Sequence, residues 1–100
     1  MTHKEIEQMI EYPKDGILSK AIVKDDKIDM TLFCMAKGAE LSEHTSTKSG
    51  FVHVVDGNGL FVLEGKNIQM KPGVIILMDK DAVHSLSAKE NTSFILGLYR

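Results

Sequence analysis

Turn-forming residues divide this chain into segments too short for packed helices. Asp15-Gly16, Asp25-Asp26-Lys27, Lys37-Gly38, Asp56-Gly57-Asn58-Gly59, Glu64-Gly65-Lys66-Asn67, Pro72-Gly73, Asp79-Lys80-Asp81 and Lys89-Glu90-Asn91 follow one another at short intervals. Gly supplies backbone angles closed to other residues, Pro presets φ, and Asn and Asp bond their own backbone, so each group marks a reversal. Between them lie apolar runs at 17–24, 28–36, 50–55, 60–63, 68–70, 74–78, 83–88 and 92–99. No helical period separates them, which excludes βαβ units. The spacing predicts an all-β sandwich or jelly-roll barrel of eight or nine short antiparallel strands over 17–99. Within 28–36, Met30, Leu32, Cys34 and Ala36 share one face and Thr31, Phe33 and Met35 the other, so both faces are expected to be covered. Asp56-Gly57-Asn58-Gly59 is a strong hairpin signal.

One helix precedes the strands. Thr2 caps residues 2–12, with Glu5 three residues on as in a capping box. Ile6, Met9 and Ile10 fall on one side, and Pro13 ends the helix. Residues 1–13 then form a flap over one edge or mouth of the barrel, and residues 1–100 a single domain.

With 43% hydrophobic and 26% charged residues and a net charge of -2, the composition is that of an ordinary globular domain. The basic residues are scattered, and six aromatics with no Trp make no stacking platform, so no nucleic-acid partner is expected. The apolar run 74–78 is too short to span a bilayer. The start of the chain has no apolar signal-peptide core, and Cys34, the one cysteine, has no partner for an intrachain disulfide. The expectation is a cytoplasmic protein.

Two stretches carry the chemistry. In 38–57 the frame runs Gly38, five residues, His44, one residue, Ser46, three residues, Gly50, six residues, Gly57. In 72–84 it runs Pro72-Gly73, the apolar run, Asp79 and His84. These frames resemble the two motifs of the cupin superfamily of small jelly-roll barrels, and Glu43-His44-Thr45-Ser46 is similar to a group of small single-domain cupins. The resemblance covers about fifty residues directly and implies that His44 and His84 face one another inside the barrel. It also implies a pocket that includes His44, Ser46, Gly50, Val52, Met78 and His84.

A cupin metal centre uses three imidazoles and a carboxylate to hold Fe, Mn, Ni, Cu or Zn. In this chain Ser46 stands at the second His of the first motif, and Gly50 at its Glu. His44 and His84 therefore remain as candidate ligands of one divalent transition metal. Alternation along 50–55 points Gly50, Val52 and Val54 inward and Phe51, His53 and Val55 outward, which removes His53 from the set. Glu43 points away from His44 in an extended segment. Cys34 reaches the cavity only if its face is the inner one. The missing Gly50 side chain is expected to leave room for an anionic or larger ligand. The bland alternative makes His44 and His84 a buried pair bonded to each other, to Ser46 or to water, and Asp79 and Asp81 solvated loop carboxylates.

Two readings of function stay open. One is a metal-dependent enzyme acting on a small polar metabolite. The other is a non-catalytic small-molecule binding module, or an accessory homodimer with a degenerate metal site. The outward Phe51 and Val55 and the outer face of Ile75 and Leu77 predict a homodimer.

Overall fold

The computed structural model describes residues 3–100. After α1 (Ile6–Met9) come β1 (Ile17–Lys24), β2 (Ile28–Met35), β3 (Glu40–His44), β4 (Gly50–Asp56), β5 (Gly59–Leu63), β6 (Lys66–Met70), β7 (Ile75–Met78), β8 (His84–Ala88) and β9 (Thr92–Tyr99). They build a five-stranded sheet, β1-β2-β9-β4-β7, and a four-stranded sheet, β3-β8-β5-β6, with every pairing antiparallel. The two sheets enclose the main core, in which Met35, Val52, Val54, Phe61, Met70, Ile76, Leu86 and Phe94 are buried. This is the expected jelly-roll architecture.

The period of two decides what each strand contributes. Val52 pairs with Leu96 and Val54 with Phe94, and Phe94 pairs in turn with Phe33. These residues face the other sheet, and the Phe33 and Phe94 rings stack with centroids 5.2 Å apart. The opposite face of the same sheet carries Met30, Leu32, Cys34, Ile95 and Val55. It is apolar as well, and a second, smaller core covers it. There Ile6, Met9, Ile10 and Tyr12 of the N-terminal segment pack against Leu32, Cys34 and Ile95. The segment therefore lies across the outer sheet face rather than over an edge or mouth of the barrel. The Tyr12 hydroxyl fastens it to Ser93 Oγ at 3.2 Å and Asp56 Oδ2 at 3.4 Å, and Lys4 Nζ donates to the Ile22 carbonyl. Cys34 is fully buried beneath it and faces away from the cavity between the sheets.

The helix is shorter than its apolar spacing implied. Thr2, the expected cap, lies outside the described residues; Glu5 is the N-cap, and its side chain makes no cap hydrogen bond. One turn holds because Ile6 and Met9 pack on the sheet, not through helical propensity.

Two local features depart from the sequence pattern. Asp56-Gly57-Asn58-Gly59 closes no hairpin: β4 pairs with β7 and β9, whereas β5 pairs with β6 and β8, so the turn carries the chain between sheets. It is held instead by Thr92, whose hydroxyl donates to Asn58 O and accepts from Asn58 N. The second feature is β3, in a stretch too polar to read as a strand; it forms by pairing with β8.

Gly50 is fixed by the approach of β9. A Cβ built there would lie 2.0 Å from the Gly97 carbonyl oxygen and 2.9 Å from Leu98 Cδ2. Gly50→Ala is expected to destabilise the domain by about 3 kcal/mol, because the β4–β9 backbone must spread to admit the methyl group. Urea unfolding checks this, and an unchanged midpoint would contradict it.

Candidate functional site

A bulge brings the two histidines together. On β3, Leu41 pairs with Leu86 and His44 with His84, so three residue steps on β3 match two on β8. Without the extra residue, Leu41 and His44 would point to opposite faces. With it, both line the cavity between the sheets, although His44, like Ser42 and Glu43, remains exposed. The His44 and His84 rings meet edge-on, with centroids 4.1 Å apart at 63°. The inner side of His84 is parallel to the Phe61 ring, centroids 5.7 Å apart. His84 is buried, at 7% exposure, while His44 is open to solvent. The pair thus forms the rim of a cavity, His84 on the wall and His44 at the mouth.

The cavity has a volume of about 70 Å³. The five-stranded sheet lines it with Phe33, Val52, Met78, Phe94 and Leu96, and the four-stranded sheet with Leu41, His44, Phe61, His84 and Leu86. Its walls are apolar except for the two imidazoles.

The backbone sets the protonation of each ring. His44 Nδ1 lies 2.7 Å from the Ser42 carbonyl, and His84 Nδ1 lies 3.0 Å from the Ala82 carbonyl. A carbonyl only accepts, so each Nδ1 carries the hydrogen. In the neutral rings each Nε2 is left as a lone-pair acceptor. The loops bearing the rings are clamped together. Asp81 N donates to the Ser46 carbonyl at 2.7 Å, and Glu64 bonds Val83 twice, through its own N–H and through its carboxylate. Glu64 and Asp81 both hold positive φ, at 48° and 65°, a conformation that costs non-glycine residues energy. That strain is spent next to His84.

Of the residues assigned to the pocket from sequence, His44, Val52, Met78 and His84 line it together. Ser46 and Gly50 do not. Ser46 sits in the loop after β3, where its Oγ accepts from Lys48 N and its carbonyl from Asp81 N. The Gly50 position opens no space, because the β9 backbone occupies the place a side chain would take. His53 points outward as alternation requires, into a groove between Val55, Ile95 and the N-terminal segment. Asp79 and Asp81 are exposed. Phe33, Phe61, Phe94, Leu41, Leu86 and Leu96 complete the cavity. Their inward parity was legible, but which inward residues reach one cavity depends on the packing of the two sheets.

The donor set does not fit the metal centre implied by the motif resemblance. Among the described residues no group of three or more His, Cys, Asp or Glu side chains could hold a metal ion. His44 and His84 are two donors, where a tightly held ion takes three or four from the protein.

Burial depresses the His84 imidazole below its usual 6.5, and the neighbouring His44 depresses it further, against the upward pull of the Ala82 carbonyl. The unfolded chain takes up a proton near pH 6.5 that native His84 still refuses. The stability contributed by neutral His84 is therefore complete above that pH and is lost as pH falls below it. His84→Gln should flatten the pH dependence of stability in the window just below pH 6.5. Denaturant melts of both proteins across pH 5–7.5 test this, and parallel curves would contradict it.

The cupin domain family matches residues 31–96 of the chain. No curated protein matches the sequence. Among solved structures, a conserved protein of unknown function from Streptococcus pyogenes is 22% identical, covers 99% of this chain and 87% of its own, and superposes with a TM-score of 0.87. KdgF from Halomonas sp. is 21% identical over 84% of this chain and 78% of its own, with a TM-score of 0.80. A cupin 2 conserved barrel domain protein from Leptotrichia buccalis is 27% identical over 94% of this chain, with a TM-score of 0.86, and this chain spans 46% of it. The facing histidines, the paired sheets and a family match over most of the strand-bearing chain make this protein a member of the cupin family.

Proposed function

We propose that this cupin is a binding module for a small organic molecule, held by His44 and His84 without a metal. One observation carries the reading: two imidazoles with their Nδ1 atoms engaged by backbone carbonyls stand edge-on at the mouth of an apolar cavity. Neutral rings so held offer adjacent hydrogen-bond acceptors. They suit a ligand with hydroxyl or amine donors at one end. The cavity volume of about 70 Å³ takes only a few heavy atoms, an alkyl group or a ring edge, between Phe61 and Phe94. The rest of the ligand would lie beside exposed His44.

The same hydrogen bonds are those that orient metal-ligating imidazoles, which gives the metal-dependent reading its support. The missing third donor weighs against it. No membrane-crossing helix is present among the described residues, and the free, buried Cys34 supports a cytoplasmic setting.

A thermal-shift screen at pH 7.5 against small alcohols, phenols and amines tests the proposal, with elemental analysis of the purified protein alongside. A ligand at a hundredfold excess over its Kd stabilises the fold by about 2.7 kcal/mol, on the order of 10 °C for a domain of this size. That shift should vanish in His84→Ala, and it should shrink in wild type as the pH falls well below 6.5 and the His84 acceptor takes up its proton. A panel with no hits would count against the binding module. A transition metal near one per chain that is lost in His44→Ala/His84→Ala would replace it with the metal reading.

A further inference from the structure

β7 is the one unguarded edge among the sheet edges of the described residues. Free strand edges offer unpaired backbone groups, and proteins blunt them with charges, proline or bulges. β1 carries Lys20 and Lys24, bulges between Ala21 and Val23, and has Lys4 bonded to the Ile22 carbonyl. β3 carries Glu40 and Glu43 and its own bulge. β6 carries Lys66, Asn67 and Gln69. β7 reads Ile-Ile-Leu-Met, pairs in regular register with β4 alone, and has no charge, proline or bulge. Its outward side chains are the most exposed large apolar groups among the described residues, Ile75 at 60% and Leu77 at 75%.

Beside it on β4, His53 lies opposite Ile75 and Phe51 opposite Leu77, so the apolar surface continues at the Leu77 end. The Phe51 ring lies over Gly97, where a Cβ would come within 2.3 Å of it. The N-terminal segment covers Val55 and Ile95 on this sheet face, but Phe51 is absent from the cluster it forms. Ile75, Leu77 and Phe51 are left as a continuous patch ending at an open edge.

We propose that β7 pairs antiparallel with β7 of a second copy about a two-fold axis, centred on Ile76. The sheets of the two copies then join into one of ten strands. The flanking charges select this direction. Lys71 precedes the strand, while Asp79-Lys80-Asp81 follows it with one net negative charge. Antiparallel pairing sets each copy's Lys71 end against the other's acidic end; parallel pairing sets like against like. Side-chain parity selects the register. Centring on Ile76 puts Ile75 opposite the second copy's Leu77 and keeps the four exposed aliphatic groups together. Centring on Leu77 puts Ile75 opposite Asp79, and centring on Ile75 puts Leu77 opposite Gly73. The same surface on both copies closes the assembly at two.

Sedimentation and light scattering at micromolar concentration should give twice the 11.1 kDa chain mass. Leu77→Lys, at a position with an exposed side chain, should weaken the dimer about a hundredfold or more without changing the circular-dichroism spectrum. Lys71→Glu should weaken it, and Lys71→Glu/Asp79→Lys should restore it. Under oxidation the double variant Ile75→Cys/Leu77→Cys should form a covalent dimer, and neither single variant should. A monomer at these concentrations, a dimer indifferent to Leu77→Lys, or efficient cross-linking by Leu77→Cys alone would each overturn the proposal.

Discussion

A sheet that is apolar on both faces needs two covers, and most of this structure follows from that need. The five-stranded sheet turns Phe33, Val52, Val54, Phe94 and Leu96 to one side and Leu32, Cys34 and Ile95 to the other. The four-stranded sheet covers the first side and encloses the cavity. The N-terminal segment covers much of the second, though it contains barely one turn of helix. Its order comes from Ile6, Met9, Ile10 and Tyr12 burying apolar area, with the Tyr12 hydroxyl as a polar fastening. The segment does not reach Phe51, Ile75 and Leu77, which is why the β7 edge stands apart from the rest of the surface.

Much of this was legible before any coordinates. Turn residues marked the strand boundaries, and the two apolar faces of 28–36 foretold a sheet covered twice. What failed did so for identifiable reasons. The Asp56–Gly59 turn has the composition of a hairpin, but composition reports a reversal and not the partner; the Thr92 hydroxyl bonded to Asn58 belongs to a different pairing. β3 is polar because its outer face is solvated and its length is short, so it has no alternation to detect; pairing with β8 creates it. The flap was placed at an edge or mouth because amphipathic spacing reveals an apolar side without naming the surface it meets.

The site shows the same division. The motif frame located His44 and His84, and the apolar run 83–88 located the strand that carries His84, but not β3. Strict alternation from Leu41 would have turned His44 outward, and the bulge reverses that. Bulges leave little mark in a single sequence, since Leu-Ser-Glu-His is compatible with either geometry. Gly50 was open to the opposite error. A missing side chain reads as an opened pocket when only the sequence is available, whereas here the space belongs to the Gly97 carbonyl.

That carbonyl contact also limits where the family pattern can lead from this chain. A single codon change can turn glycine into glutamate, but at position 50 the new Cβ would have to displace β9 before its carboxylate could reach the histidines. While β9 keeps this path, the position is closed to any side chain. A three- or four-donor cage would have to draw its further ligands from other positions around the cavity, such as Met78 and Leu96 on the five-stranded sheet, which line it together with His44 and His84.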